Sequence, residues 1–397
     1  MIPFERNNYN TSFTAAKYEA FLKAINQYTP GGIQFRLAET PIFIDKNFRN
    51  QIVNAGNSIC EQLLQKQFRE LTDEAIPKDA YTPNESTRPN CIVIDFAIAK
   101  DQEGNIIPKL IELQGFPSLF GFEVLHDETF RSQFNIPLKY NCYLNGYDKT
   151  SYTKFLKDIV LGTQGKHTVL LELFPHQQKT NIDFYYTEKI IGLPIVCVSE
   201  IYVRNHFLCY NREGKEYIIQ RIYNRIVLDE LKKQSAEIQN KGALLQEVLN
   251  VEWVTHPHHF FRYSKFSIPF LKGPSIPFTQ FLHQVQNMPK DLENYILKPL
   301  FSFAGQGVII DLDESSIQAI PDPENWILQE KVDYAPVIET PSGFAKAEIR
   351  LFYFWDESKN EYVATNNLAR LSKGKMIGVN YNQTATWVGG SLAYFET

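Results

Sequence analysis

The feature that most constrains this chain is a pair of apolar segments with acidic and amide side chains set inside them. Residues 91–96 read Cys-Ile-Val-Ile-Asp-Phe, residues 109–114 read Lys-Leu-Ile-Glu-Leu-Gln, and a polar turn over residues 101–105 lies between them. This pattern predicts a β-hairpin. A carboxylate inside an apolar strand is costly unless it is paired with a cation or bound to a metal ion. The fold must therefore supply such a partner.

Three oxygen-bearing side chains of the hairpin are expected to converge. Asp95 lies on the first strand, and Glu112 and Gln114 lie two residues apart on the second. Residues two apart in a strand share a face. Two carboxylates and an amide oxygen are hard ligands that suit Mg²⁺ held jointly with substrate phosphates. The hairpin therefore predicts a magnesium site, and a solvated polar face is the alternative.

Composition narrows the class of protein. The chain has 397 residues, which predicts two or three domains, and its 44% hydrophobic content is enough for a sizeable core. A net charge of −5 argues against a nucleic-acid-binding surface. Its apolar runs are far shorter than the roughly 20 residues that cross a bilayer, so no membrane partner is expected. Five scattered cysteines without CxxC spacing predict reduced thiols and a cytoplasmic location.

The remaining pattern predicts mixed secondary structure. Residues 12–75 are expected to be helical, and so are residues 228–249. Between them, short apolar runs at residues 167–172 and 194–198 flank a helical stretch, a βαβ rhythm that predicts a small parallel sheet. Later segments mix helix and strand, and residues 388–391 are expected to form a glycine turn near the C-terminus. The fold class expected is α+β.

A lysine followed by a loop of small residues predicts a phosphate contact. Lys298 ends a strand, and Gly305 and Gly307 lie in the loop that follows. Glycines let backbone N–H groups approach phosphate oxygens, and the lysine supplies a point charge. The loop lacks the GK[ST] sequence that opens a helix in a Walker loop. An ordinary hairpin turn is the alternative.

A second strand could contact the nucleoside. Residues 326–332 end in Gln329, Glu330, Lys331 and Val332, whose backbone groups could pair with an adenine edge, and Asp333 could bind a ribose hydroxyl. The alternative is an amphipathic strand without a ligand.

Cations on the late strands could bind anionic groups. Arg350 interrupts an otherwise apolar strand, which favours a functional role. Further polar residues follow on the late strands and the loop after them: Arg370, Lys373, Lys375, Asn380 and Asn382. For Lys373 and Lys375, a solvated basic edge is the preferred interpretation. The cluster His256, His258 and His259 has no further Cys or His partner pattern, so a loop or helix entry is favoured over a zinc site.

Taken together, these segments resemble the ATP-grasp superfamily in a circularly permuted order. The segment LIELQGFPSL resembles the acidic Mg²⁺ motif, and ILKPLFSFAGQGVII resembles the lysine loop, yet here the acidic motif comes first. The order is similar to that in the synthetase part of glutathionylspermidine synthase, where an Asp-Phe strand precedes the Glu-x-Asn strand. The βαβ segment resembles the small pre-ATP-grasp domain of such enzymes. The resemblance covers roughly residues 90–397.

The resemblance assigns roles to single residues. It implies that ATP phosphates are bound by Lys265, Lys298, Gly305, Gly307 and Arg350, and that the adenine hinge comprises Gln329, Glu330 and Val332. It further implies that Mg²⁺ is held by Asp95, Glu112 and Gln114, and that Arg225 faces the acceptor substrate.

Two positions depart from the family pattern. Gln114 stands where the family usually has Asn, so its amide oxygen lies one methylene further out. Val93 stands where some relatives carry an arginine that stabilises the tetrahedral intermediate. The second departure bears on the amide-forming step more than on ATP binding.

The resemblance implies an ATP-dependent carboxylate–amine ligase that works through an acyl phosphate, with small-molecule or peptide substrates. Residues 1–150 would hold a helical region and the metal-binding hairpin, residues 151–250 the small α/β domain, and residues 251–397 the ATP-binding part. Two alternatives stay open: a kinase-like phosphotransferase on the same fold, and a degenerate nucleotide-binding module without turnover. Oligomeric state is left open.

Overall fold

The structure is a computed structural model that describes residues 1–247, 250–302, 305–375, 377, 382 and 384–397. Its α-helices are α1 (Pro3–Ser12), α2 (Ala15–Asn26), α3 (Lys46–Leu63), α4 (Lys66–Leu71), α5 (Phe122–Gln133), α6 (Lys149–Leu161), α7 (Asn181–Ile191), α8 (Leu228–Leu231), α9 (Ala236–Ala243), α10 (Pro257–Arg262) and α11 (Glu314–Gln318).

Its strands in chain order are β1 (Ile42–Ile44), β2 (Cys91–Lys100), β3 (Ile106–Gln114), β4 (Tyr140–Asn141), β5 (Thr168–Glu172), β6 (Ile195–Cys197), β7 (Tyr202–Arg204), β8 (Phe207–Arg212), β9 (Lys215–Ile219), β10 (Arg221–Asn224), β11 (Glu252–Trp253), β12 (Thr279–Phe281), β13 (Tyr295–Pro299), β14 (Trp326–Glu330), β15 (Ile338–Thr340), β16 (Gly343–Asp356), β17 (Glu361–Ser372), β18 (Gly389–Ser391) and β19 (Ala393–Glu396).

A large antiparallel sheet forms the centre of the molecule. Its strands run in the order β18-β17-β16-β2-β3, with β15 paired to β16. Paired residues on neighbouring strands share a face. One face carries Ile349, Phe96 and Leu110 in register and contributes to the largest apolar cluster, to which α3 also contributes. The opposite face carries the polar side chains.

A β-bulge interrupts the β2–β3 ladder at the polar position. Asp95 pairs with Glu112 and Phe96 pairs with Leu110, so Ile111 is the extra residue between them. A bulged residue leaves the ladder, and its backbone groups become available to other partners. The bulge therefore frees a backbone carbonyl beside the acidic pair.

A small parallel sheet lies beside the central one. Its order is β11-β10-β5-β6, with all neighbours parallel. The chain runs from β5 to β6 on one side and later returns to β10 on the other. The carboxyl ends of β5 and β10 lie at this reversal, and ligands bind at such points in open α/β sheets.

A three-stranded sheet, β12-β14-β13, called the covering sheet below, contacts the hairpin through Lys298. Its outer side packs Leu297 and Leu328 against Leu282 and Leu312, whereas its inner side contributes Ile327 and Phe281 to the main core. Two small sheets, β1-β19-β4 and β7-β8-β9, complete the architecture. Among the described residues, no helix is long and apolar enough to cross a bilayer.

The mixed architecture agrees with the α+β class that the sequence predicts, and the hairpin and the parallel sheet are confirmed. Three local predictions are wrong. Residues 12–75 are not continuously helical, because Gly31 and Gly32 turn the chain at positive φ and strand β1 follows. Residues 228–247 form only short helices. The expected glycine turn is strand β18, paired with β17.

Gly389 explains why a strand could be mistaken for a turn. It has a φ of 123°, and a Cβ built there would lie 2.5 Å from the carbonyl oxygen of Arg36. A close approach of two backbones selects glycine as strongly as a turn does.

We expect Gly389→Ala to lower the free energy of unfolding by more than Gly214→Ala does. Both glycines have positive φ, but a Cβ at Gly214 meets nothing within 4 Å. Gly214→Ala therefore costs only the backbone strain of a positive φ, about 1–2 kcal/mol. Gly389→Ala adds a clash between the new Cβ and the carbonyl oxygen of Arg36. Urea unfolding of the two variants measures the difference, and equal losses would contradict the close approach.

Candidate functional site

The polar face of the central sheet centres on a buried carboxylate bound by two arginines. Asp95 is fully buried, and its two oxygens accept hydrogen bonds from Nε and Nη2 of Arg350, each at 2.6 Å. Arg370 also donates to Asp95, at 2.6 Å. Arg350 lies directly opposite Asp95 in the β16–β2 ladder, so the strand register creates this bidentate pair.

A second buried acid extends the cluster. Glu348 accepts a hydrogen bond from Arg370 and another from the Tyr334 hydroxyl at 2.5 Å. Burial raises the pKa of Glu348, although the nearby Arg370 opposes that shift. The sequence analysis missed Glu348 and Tyr334. The sequence does contain a signal for Glu348: it lies two residues before Arg350 in an apolar strand, so the two side chains share a face.

Glu112 lies among cations at the edge of this cluster. Its carboxylate is 3.6 Å from the Lys265 ammonium and 3.7 Å from the Arg350 guanidinium, and it accepts a hydrogen bond from Gln114 Nε2 at 2.8 Å. Burial alone would raise the pKa of Glu112, but Lys265, Arg370, Arg350 and Lys298 together lower it to about 2. Glu112 is therefore ionised at neutral pH.

Lys298 connects the covering sheet to the bulge of the hairpin. Its ammonium donates to the carbonyl of Ile111, the bulged residue, at 2.9 Å. Burial lowers the pKa of Lys298 to about 8, and the neighbouring carboxylate of Glu112 opposes the shift. Lys298 therefore keeps its charge at neutral pH and loses it in mild alkali.

Lys265 is held at the start of a short 3₁₀ helix, Lys265–Phe270. The Ser264 hydroxyl accepts from the Phe266 N–H at 3.1 Å and so fixes the first turn. The buried Lys265 ammonium donates to the carbonyl of Ser302 at 2.7 Å, which holds the start of the glycine loop against the site.

A small cleft lies where these elements meet. Its lining includes Glu112, Gln114, Phe116, Lys265, Phe301 and Ser302. The structure thus brings the acidic hairpin, the two lysines and the two arginines to one place. Because both oxygens of Asp95 accept hydrogen bonds from arginines, a metal ion bound there would share those oxygens with Arg350 and Arg370.

The predicted hinge residues occupy different environments. Gln329 is fully buried and lies on the same face as Lys298; its Nε2 donates to Thr279 at 3.0 Å, and its Oε1 has no partner among the described residues. Glu330 ends β14 and is exposed, and its N–H donates to the Phe278 carbonyl. Val332 is partly buried beyond the strand end.

The predicted phosphate-loop glycines lie further from the cleft. Gly305 and Gly307 have φ values of 74° and 76° and form a turn closed by the Val308 N–H on the Gly305 carbonyl at 3.3 Å. The described lining of the cleft ends at Ser302 and does not include either glycine.

Arg225 lies at the reversal point of the parallel sheet. It directly follows β10, is nearly buried, and its Nη1 donates to the Pro117 carbonyl at 2.5 Å. Its guanidinium lies over the Phe116 ring at 4.9 Å, and its Nε has no partner among the described residues. Glu172 ends the neighbouring β5; burial raises its pKa to about 8, with Arg225 opposing.

The remaining late cations lie outside this cluster. Lys373 donates to Thr340 and Ser342, and the exposed Lys375 pairs with Asp311 at 3.1 Å. The Asn382 side chain accepts backbone hydrogen bonds from residues 373 and 374. Asn380 lies outside the described residues.

The histidine cluster forms a helix entry, as the sequence analysis favours. His256 caps α10, accepting from the His258 N–H, and its Nε2 lies 3.0 Å from the Pro83 carbonyl. His258 accepts from the Thr82 N–H and lies 3.0 Å from Glu85. Although Glu85, His256 and His258 are close enough to surround a cation, these ring nitrogens are already engaged in hydrogen bonds.

No family model and no curated protein matches this sequence. Among solved structures, the chain is similar to a glutathione synthetase-like effector from Globodera pallida in its apo form. The TM-score is 0.57, the identity is 10%, and the match covers 97% of this chain and 99% of that chain. The likeness concerns the fold alone.

We expect Asp95→Ala to lower the free energy of unfolding by about 3–5 kcal/mol, because it leaves buried arginines without their shared carboxylate. Lys154→Ala is the matched control. It removes an exposed pair with Asp158 on α6 and should cost about 0.5 kcal/mol or less. Urea unfolding measures both variants, and a loss at Asp95 no larger than the control would contradict the importance of the cluster.

Proposed function

We propose that this chain is an ATP-dependent carboxylate–amine ligase with a circularly permuted ATP-grasp fold, similar to the synthetase part of glutathionylspermidine synthase. One observation carries the proposal: Lys265, Lys298 and Arg350 converge on Glu112 beside the acidic hairpin. The glutathione synthetase-like fold supports it.

The charge of the site suits a triphosphate. Four cations, Lys265, Lys298, Arg350 and Arg370, surround the three carboxylates Asp95, Glu112 and Glu348. Lys265 and Lys298 each hydrogen-bond a backbone carbonyl, and an ammonium has three N–H donors, so both retain donors for phosphate oxygens. An anion in the cleft would balance this excess of positive charge.

The donor set also suits Mg²⁺. Glu112 is ionised and Gln114 uses its nitrogen as a donor to Glu112, which leaves the amide oxygen for a metal ion. These two ligands with phosphate oxygens and water match the coordination that Mg²⁺ prefers. Asp95, the third predicted ligand, would join by sharing an oxygen with the arginines. Bound Mg²⁺ would offset the charge of the phosphates.

The nucleoside would lie along β14. The unpartnered Oε1 of Gln329 offers an acceptor for an adenine edge. Val332 would supply the backbone groups, because the N–H groups of residues 330 and 331 already donate to Phe278 and Asn294. Gly305 and Gly307, which follow the Lys298 strand, would bring backbone N–H groups to the phosphates.

The carboxylate substrate would enter from the parallel sheet. Arg225 lies at the carboxyl ends of β5 and β10, and its contact partner Phe116 also lines the cleft. The free Nε of Arg225 could bind a substrate carboxylate, with Glu172 beside it.

The side chains would act by positioning and by charge stabilisation. A carboxylate oxygen attacks the γ-phosphorus, ADP leaves, and an acyl phosphate forms. The amine nitrogen then bonds to the acyl carbon as the carbon–oxygen bond to phosphate breaks. Arg350 would stabilise the negative charge of the transferred group.

One observation favours a second candidate, a nucleotide-binding module without turnover. Val93 lies opposite Gln114 in the ladder, so an apolar side chain stands on the polar face where related enzymes carry an arginine. Under this alternative, Mg²⁺-ATP raises the melting temperature but no acceptor gives turnover.

We expect Mg²⁺-ATP to raise the melting temperature, and ADP release to depend on both a carboxylate and an amine from a panel of peptides, polyamines and amino acids. Lys298→Met and Glu112→Gln should each lower turnover at least a hundredfold, because each removes a charge from the cleft. Lys272→Met, at an exposed lysine, is the control and should leave turnover unchanged.

The outcomes separate the candidates. ADP release that needs a hydroxyl acceptor and no amine would favour the phosphotransferase, and stabilisation by ATP without turnover would favour the binding module. Turnover at the normal rate in Lys298→Met would contradict the site itself.

The affinity for Mg²⁺-ATP should fall as pH rises above about 8. The pKa of Lys298 is lowered to about 8 by burial, so its ammonium is present below that pH and is lost above it. Bound phosphate would favour the charged form, so affinity is constant below pH 8 and declines beyond it. Calorimetry at pH 7.5 and 9.5 tests this, and Lys298→Met should show weak binding with a much smaller decline. An equal decline in that variant would assign the effect to another group.

A further inference from the structure

A second, larger groove adjoins the cleft. The residues that define this phenylalanine groove are Phe266, Phe270, Phe281, Phe301, Glu70, Glu74 and Glu324. It lies between α4, the 3₁₀ helix Lys265–Phe270 and the covering sheet. None of the roles derived above uses it.

The floor of the groove is aromatic and well packed. The rings of Phe266 and Phe281 lie 4.9 Å apart between centroids, and Phe270 lies 5.6 Å from Phe281. Phe266 and Phe281 are buried and Phe270 is partly buried, so the floor is fixed in place by its own contacts. Apolar and aromatic ligand bodies bind to such preformed surfaces.

The lining of the groove is acidic. Glu70 belongs to α4, Glu74 follows that helix and Glu324 precedes β14, and all three are exposed. None of them forms an ion pair with a described residue, and the described lining contains no lysine or arginine. The exposed His283 is the other titratable group of the lining. Three carboxylates without ion-pair partners around an aromatic floor complement a molecule that joins a cationic group to an apolar or aromatic group.

The groove and the cleft share a wall. Leu300 and Phe301 line both, and Phe301 packs against Phe261 at 5.2 Å between ring centroids. These residues directly follow the strand that carries Lys298. The groove and the cleft therefore adjoin one another at these two residues.

We propose that the phenylalanine groove binds the second substrate, an amine carried on an apolar or aromatic body. The inference rests on the ligase function proposed above and names its acceptor class. The carboxylates of the lining hold the ammonium form of the amine. The ammonium loses a proton to water, and the nitrogen lone pair bonds to the acyl carbon. The carbon–oxygen bond to phosphate breaks, phosphate leaves, and a second proton goes to water.

Binding of three small probes without ATP or Mg²⁺ tests the groove by ligand-observed NMR titration. 2-Phenylethylamine carries both ring and charge, phenylacetate carries the ring with the opposite charge, and ethylamine carries the charge alone. We expect saturable binding of 2-phenylethylamine, with phenylacetate and ethylamine at least tenfold weaker. Affinity should also fall at least threefold between 50 and 500 mM salt. Equal binding of phenylacetate, or tighter binding of ethylamine, would overturn the proposal.

Charge-neutral variants locate the site. The triple variant Glu70→Gln, Glu74→Gln and Glu324→Gln should weaken 2-phenylethylamine binding at least fivefold while leaving the urea unfolding midpoint unchanged. The matched control changes the net charge equally at exposed acids elsewhere: Glu19→Gln, Glu61→Gln and Glu237→Gln. The control should bind as the wild type does, and equal weakening in both triple variants would overturn the assignment to the groove.

Amine binding and ATP turnover, measured separately, distinguish failure of the groove proposal from failure of the ligase proposal. If ATP turnover occurs with other amines while 2-phenylethylamine fails to bind, the groove assignment fails and the ligase stands. If the groove binds the amine, as the triple variants report, but no amine supports turnover, amine binding stands and the ligase proposal fails.

Discussion

The rest of the structure depends on keeping charge paired inside an otherwise apolar sheet. Asp95 is fully buried, and the antiparallel register of β16 against β2 places Arg350 directly across from it. A one-residue slip would move one partner to the opposite face and leave two buried charges unpaired. The register of the central sheet and the geometry of the candidate site are therefore set by the same contact.

The bulge at Ile111 adds a second, directional connection. It turns a backbone carbonyl out of the ladder, and the Lys298 ammonium from the covering sheet donates to it. Lys265 makes the equivalent contact to the Ser302 carbonyl at the start of the glycine loop. Two lysines thus tie separate elements together through backbone carbonyls, which accept hydrogen bonds without neutralising charge. Both ammonium groups therefore keep their remaining N–H donors.

Sequence reasoning succeeded where a physical cost was visible locally. Asp95 and Glu112 interrupt apolar strands, and the cost of burying a carboxylate was enough to predict that the two would lie together and have partners. It could not predict that Arg350 and Arg370 both bind Asp95, because cross-strand register over such a separation is a tertiary property. The bulge and the Glu348–Tyr334 contact are local in the chain and were also missed, although Glu348 lies two residues from Arg350 in an apolar strand. Gly389 was misread because a turn and a close backbone approach demand the same residue.

The central sheet joins segments that are distant along the chain, since Asp95 and Arg350 are separated by 255 residues. Strands β2 and β3 leave the ribosome long before β16 and β17, so the carboxylates of the hairpin spend that interval without their arginines. The small parallel sheet, whose strands lie between residues 168 and 253, can assemble in the meantime from nearer contacts. High contact order of this kind slows folding and exposes unpaired strand edges. During synthesis, the nascent hairpin therefore presents an unpaired strand edge until β16 has been made.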